Sequence, residues 1–179
     1  MPAALATIDV TETDLTTALR GFLLSMLGDI EVIKAQVNRV ASPTGPYVEM
    51  TPMTAVGMST NRQTFDPDAG TQGDSRSTSW ACQLDFYGDG AFDNASLVAT
   101  MVRSSYACTF LATYGFGMQP LYAGDPHQTS MINGEQQYED RWTMDFTAQY
   151  NPTITTPMQF AASLDVGVVE VSTAFPPGA

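Results

Sequence analysis

Residues 134–152 read Gly134-Glu135-Gln136-Gln137-Tyr138-Glu139-Asp140-Arg141-Trp142-Thr143-Met144-Asp145-Phe146-Thr147-Ala148-Gln149-Tyr150-Asn151-Pro152. From Tyr138 onward one parity carries Tyr138, Asp140, Trp142, Met144, Phe146, Ala148 and Tyr150, the other Glu139, Arg141, Thr143, Asp145, Thr147 and Gln149. A period of two that separates an apolar set from a polar one predicts a long strand with one face in a core and one in water. Asn133-Gly134 predicts a turn before it. Asn151-Pro152 ends it, because proline has no N–H for a ladder and biases its predecessor.

Working outward, Trp80, Cys82, Leu84 and Phe86 alternate with Ala81, Gln83 and Asp85, a second strand of the same kind that stops at Gly88-Asp89-Gly90. Its polar face is expected to meet that of the 138–150 strand. Tyr47 to Met58 predicts another strand, irregular at Pro52 and so near an edge or a bulge. Ile30 to Lys34 is a short strand, Met118 to Tyr122 a short strand or extended connector, and Leu164, Val166 and Val168 a last strand. Leu15, Ala18, Leu19, Phe22, Leu23, Met26 and Leu27 share one helical face, with Thr11 and Asp14 forming a capping box and Gly28 a C-terminal stop. A second helix starts near Ala91 or Asp93, runs through Ala95, Val98 and Val102, and continues to Tyr114 after a kink at Ser104-Ser105. The order predicts an α+β fold: a mainly antiparallel sheet of five to six strands flanked by two helices.

Between residues 59 and 77 no period survives, and Phe65 is the only large apolar side chain. This segment is expected to be a long mobile loop or the tip of an extended hairpin, serving a partner surface, since compact domains seldom keep such loops without use. Residues 173–179 form a Pro-Gly tail. With 179 residues and 44% hydrophobic content, residues 1–179 are expected to close one domain.

Seven Lys and Arg stand against nineteen Asp and Glu, a formal charge of −12, which argues against a cationic groove for nucleic acid. No apolar run approaches a membrane span, and the N-terminus does not read as a signal peptide. Cys82 and Cys108 lack metal-binding spacing and are expected to be buried free thiols. The single histidine, His127, sits in a turn beside Asp125. No phosphate loop, nucleophile elbow or His-Glu-x-x-His helix occurs, so no catalytic residue, metal or cofactor is assigned. Glu135, Glu139, Asp140 and Asp145 are close in sequence, but Arg141 among them points to a structural charge network. Tyr138, Trp142 and Phe146 are read as core aromatics, with a ligand groove or an enzymatic site near Glu139–Trp142 as the alternative. Arg141 is expected to be held by Glu139, Asp145 or Asp85.

The ordered set Gln36-Val37-Asn38-Arg39-Val40, Gly45-Pro46-Tyr47, Leu84-Asp85-Phe86-Tyr87-Gly88, Pro120-Leu121-Tyr122-Ala123-Gly124-Asp125-Pro126, Asn133-Gly134-Glu135-x-x-Tyr138-Glu139-x-Arg141-Trp142, Gln149-Tyr150-Asn151-Pro152 and Gln159-Phe160-Ala161 resembles the neck or tail-terminator proteins of tailed bacteriophages. The resemblance runs from about Gln36 to Val171. It implies a structural virion protein, assembled in the bacterial host cytoplasm, that forms a homo-oligomeric ring, usually of six copies. The ring caps the head-proximal end of the tail tube and joins it to a head connector or adaptor protein, with genomic DNA passing through the lumen without specific binding. Another head–tail joining or tail-tube role is the neighbouring alternative. On this reading Phe65, Asp66, Asp68, Arg76, Glu139, Arg141 and Asp145 are the candidate subunit or neck contacts, and the 59–77 segment is an assembly element.

Overall fold

A computed structural model describes residues 5–36, 43–129, 131–132, 138–161 and 166–167. The stretch that alternates most clearly forms strand β11, Arg141–Tyr150. Met144, Phe146, Ala148 and Tyr150 are buried on one face, while Asp145 on the other is exposed. The strand is shorter than expected at its start. Tyr138–Glu139 is a separate two-residue strand, β10, that pairs with β9, Met131–Ile132, and Tyr138 is 82% exposed instead of belonging to the core.

The remaining strands of the main sheet are β2 (Glu31–Lys34), β3 (Tyr47–Gly57), β6 (Thr78–Tyr87), β7 (Gln119–Ala123) and β8 (His127–Gln128). Their order is β2-β3-β6-β11-β7, with β8 also on β11. All ladders are antiparallel except β2 with β3. The irregularity expected at Pro52 is present as a register shift between Pro52 and Thr54. Pro52 keeps its place opposite Cys82, and Met53 is the extra residue, so pairing resumes at Thr54 opposite Ala81.

Three helices cover one face of this sheet: α1 (Glu12–Leu27), α2 (Ala91–Val102) and α3 (Ser105–Ala112). Thr11 caps α1 with a reciprocal box to Asp14, and Gly28 takes φ 67° at its end. The kink expected at Ser104-Ser105 is a full break, since the Ser104 side chain accepts the Ala107 N–H and starts a new helix. Leu15, Leu19, Phe22 and Leu23 of α1, Ala95 and Val98 of α2 and Leu111 of α3 meet Val48, Met50, Leu84, Phe86, Met144 and Phe146 of the sheet in one buried cluster. Fully burying each large side chain stabilises the fold by about 1.5–3 kcal/mol. Ala91 and Ala95 let α2 approach β11 closely.

A second, four-stranded sheet decides between the two expectations for 59–77 in favour of the extended hairpin. It contains β4 (Arg62–Asp66) and β5 (Thr71–Ser75), joined by a turn at 67–70, together with β12 (Thr153–Pro157) and β1 (Thr7–Ile8), in the order β1-β12-β5-β4. The 59–77 segment is the end of an extended hairpin, not a structureless loop. The ladders show why. Gly57 and Tyr150 both lie opposite Thr78 in the main sheet, and Arg62 and Thr153 both lie opposite Ser75 in the second. Three strands therefore run through a common corner at 58–61, 76–77 and 151–152. Met58 N–H donates to Ser77 O at 2.8 Å and Arg76 N–H to Pro152 O at 3.4 Å across that corner. Leu164 and Val168 of the expected last strand, Asn133-Gly134, Glu135 and the 173–179 tail lie outside the described residues, and Val166–Gly167 are not in a strand.

Candidate assembly interface

The polar face of the main sheet is built around Asp85, which is 1% exposed although it points away from the three helices that Leu84 and Phe86 pack against. Register places Thr143 directly opposite Asp85, with Arg141 opposite Tyr87 and Asp145 opposite Gln83. Three donors converge on one carboxylate oxygen, Asp85 Oδ1: Arg141 Nε at 3.1 Å, Arg141 Nη2 at 3.0 Å and the Thr143 hydroxyl at 2.6 Å. Oδ2 accepts from Gln83 Nε2 at 2.9 Å. Because Thr143 spends its proton on Asp85, the Thr129 hydroxyl, 2.7 Å away, is the donor in their contact. Arg141 also lies over the Tyr87 ring, 5.6 Å from its centre, and Tyr87 stacks on Tyr47 at 4.4 Å. Burial works against the Arg141 charge, yet the Asp85 carboxylate outweighs it and raises the guanidinium above its ordinary pKa. Burial, with Asp85 nearby, likewise pushes the Tyr87 phenol up.

Of the three partners expected for Arg141, the fold selects Asp85. Asp145 is exposed and forms no ion pair among the described residues, and Glu139 sits half-buried on β10. These three candidates do not form one cluster with the hairpin candidates. Phe65, 53% exposed, meets Phe160 edge-on at 6.4 Å. Asp66 and Asp68 are exposed at the hairpin turn, where Asp66 Oδ1 accepts from Asp68 N–H at 3.1 Å and Ala69 N–H at 3.0 Å. Arg76 is at the other end of the hairpin, exposed at the corner. Thr143, Thr129 and Gln83 were missed by the sequence reading. Gln83 and Thr143 were signalled only by membership of a polar parity beside a charged residue, and Thr129, outside any strand, by nothing in the sequence.

The aromatics named as a possible ligand groove diverge. Trp142 packs on Phe92 at 4.7 Å, Phe146 is buried against Trp80 at 6.4 Å, and Tyr138 faces solvent. The apolar groove of about 460 Å³ lies elsewhere, between α1 and the outer half of β3, with Val10, Leu15, Met53, Trp80 and Tyr150 among its walls. His127 is exposed, with Nδ1 3.5 Å from Asp125 O. Cys82 is buried, its thiol pushed up to about 12 chiefly by burial, whereas Cys108 is exposed, against expectation, because it faces away from the sheet on α3. No group of three or more His, Cys, Asp or Glu among the described residues is arranged to hold a metal, and no helix is long and apolar enough to cross a membrane.

What the surface does present is an open strand edge. β2 pairs with β3 only from Tyr47 to Met50, and β4 pairs only with β5. From Thr51 to Asp66 the outer edge of β3, the corner and β4 therefore has no ladder partner among the described residues. Met53 (56%), Val56 (58%), Met58 and Phe65 are exposed along it.

No curated protein sequence matches the chain. Among solved structures, the chain is similar to the sheath/tube terminator of an extracellular contractile injection system, PVC, in its extended state. The TM-score is 0.50 at 10% identity, over 92% of this chain and 65% of that one, so this chain spans just under two thirds of that protein. At that identity the likeness concerns the fold. The sequence matches the family model described as phage neck terminator protein over residues 13–177. This α+β chain, with its open-edged corner of three strands, belongs to the phage neck terminator family.

Proposed function

We propose that residues 1–179 act as one domain, a structural terminator subunit of a tailed-phage virion. Copies close side to side into a ring, of six on the family's usual pattern, that caps the head-proximal end of the tail tube and meets a head connector or adaptor protein. Genomic DNA passes through the lumen, and the formal charge of −12 favours passage over retention. The observation that carries the reading is the unpaired edge from Thr51 to Asp66. A long strand edge with exposed Met and Val side chains is a liability for a free subunit and is normally covered by another chain. Heterologous contacts of this kind close into rings when the rotation per subunit permits.

Negative-stain electron microscopy and light scattering of the purified protein test this directly. Discrete closed rings are expected. Unlimited filaments would indicate a tube subunit instead, and a chain that stays monomeric at every concentration, with or without tail tubes, would refute the ring. A thermal-shift screen against metals and nucleotides is expected to be flat; a large shift would point to a ligand-binding domain.

A further inference from the structure

Six cationic side chains fall in the described residues, and four are committed within the fold. Lys34 pairs with Glu12, Arg141 with Asp85, Arg20 Nε donates to Val32 O, and Arg103 donates to Ala123 O while lying over Tyr122. Arg62 and Arg76 meet no carboxylate within the described residues. Both line a single polar cleft of about 260 Å³ at the corner, with Ser59, Thr60, Ser75 and Ser77 as neighbours. The cleft is locally organised: Ser59 Oγ accepts Ser77 N–H at 3.3 Å, and the Ser75 hydroxyl contacts Arg62 O at 3.5 Å. Gly57 makes room for the Arg76 guanidinium, since a Cβ there would lie 2.7 Å from its Cζ. Asp74, on the same hairpin, shares one oxygen with Gln72 at 2.9 Å and comes within 4 Å of neither guanidinium.

The opposite end of the hairpin carries the complementary charge. Asp66 and Asp68 are exposed there without an ion pair among the described residues, and the two N–H bonds to Asp66 Oδ1 hold the turn in one shape. Tip and base are separated by five-residue strands, roughly 17 Å at the usual strand rise, so the tip of a hairpin cannot reach its own base. We propose that the Arg62/Arg76 cleft of one copy receives the Asp66 and Asp68 carboxylates from the hairpin tip of the next, making the hairpin a head-to-tail connector. The contact joins two different patches, which is the heterologous geometry that generates rings. In a chain with a charge of −12, copies repel at long range, and a local contact of opposite sign selects the docking orientation. This inference rests on the ring reading above and names the surface that closes it.

The test uses three full-length variants: Arg62→Glu/Arg76→Glu, Asp66→Lys/Asp68→Lys, and the chain carrying all four changes, each first checked for wild-type far-UV circular dichroism. Ring formation is followed by native mass spectrometry and light scattering over a concentration series. Each charge-reversed pair alone is expected to raise the concentration needed for assembly about tenfold or more, since like charges then face each other. The four-change chain should assemble like wild type. An equal mixture of the two pair variants should also close, into rings in which they alternate. If wild type forms rings and the Arg62→Glu/Arg76→Glu chain forms them equally well, the connector is wrong and the ring reading stands. Loss in both pairs without recovery in the mixture or the four-change chain overturns the pairing. If the arginine variant instead loses binding to a short DNA duplex while assembling normally, the cleft serves phosphates and the proposal fails. A wild type that never closes removes both readings.

Discussion

Replacing Arg141 with alanine strands the Asp85 carboxylate. Asp85 is 1% exposed and would lose two of its four donors, both from the guanidinium, keeping only Thr143 and Gln83. Breaking a buried ion pair from one side costs about 3–5 kcal/mol, because the remaining charge is uncompensated. The Arg141 side chain is 28% exposed, so water reaches the vacated space and the loss falls at the low end, about 3 kcal/mol. For a chain of this size that corresponds to a fall in Tm of roughly 6–12 °C. Urea unfolding at one low protein concentration is the suitable assay, because self-association would add apparent stability. The midpoint should fall with an unchanged m-value. Arg141→Lys should be intermediate, since it keeps the charge and loses the two-nitrogen grip. The double replacement Asp85→Leu/Arg141→Met should recover most of the loss, since no buried charge remains. A folded Arg141→Ala chain within about 0.5 kcal/mol of wild type would refute the account of Asp85 as a buried, Arg-dependent carboxylate, because that is the ordinary range for surface substitutions.

Three further outcomes are expected. Thr11→Ala should cost about 1 kcal/mol through loss of the α1 cap. Thr11 holds the Asp14 carboxyl below its ordinary pKa, so the bond from the Thr11 hydroxyl to that carboxylate contributes above the unfolded pKa and is lost as pH falls through the lower folded one, while the bond from Asp14 N–H to the Thr11 hydroxyl does not titrate; the gap in urea midpoint between wild type and variant should therefore narrow in acid. Gly88→Ala should destabilise by about 1–3 kcal/mol. Gly88 has φ 81° and a Cβ would lie 3.2 Å from Pro46 Cα, whereas Gly115→Ala, also at positive φ but in open space, should cost less by calorimetry; equal losses would remove the close-approach argument. A disulfide reagent at neutral pH should titrate one thiol in the native chain, exposed Cys108, and a second, Cys82, only in denaturant; rapid reaction of both would contradict the burial of Cys82.

Local pattern decided much of the main layer. The alternation of Trp142 to Tyr150 and of Trp80 to Phe86, the spacing of Leu15 to Leu27 and the Thr11–Asp14 box are each set within a few residues, and period and capping are short-range properties. The polar parities of the 138–150 and 80–86 stretches already narrowed the partner of Arg141 to three carboxylates. Only the register of β11 against β6 selects Asp85, because a one-residue slip would turn every side chain to the other face. The second sheet was not legible as strands. β4 and β5 carry polar residues on both faces and are held by backbone ladders to each other and to β12, so no hydrophobic period records them. The strand at Thr153–Pro157 was missed for the same reason, coming after a proline that ends one sheet and turns the chain into the next. The polar cleft at Arg62 and Arg76 likewise depends on a corner that brings residues 59–62, 75–77 and 151 together, and such long-range proximity belongs to the tertiary structure alone.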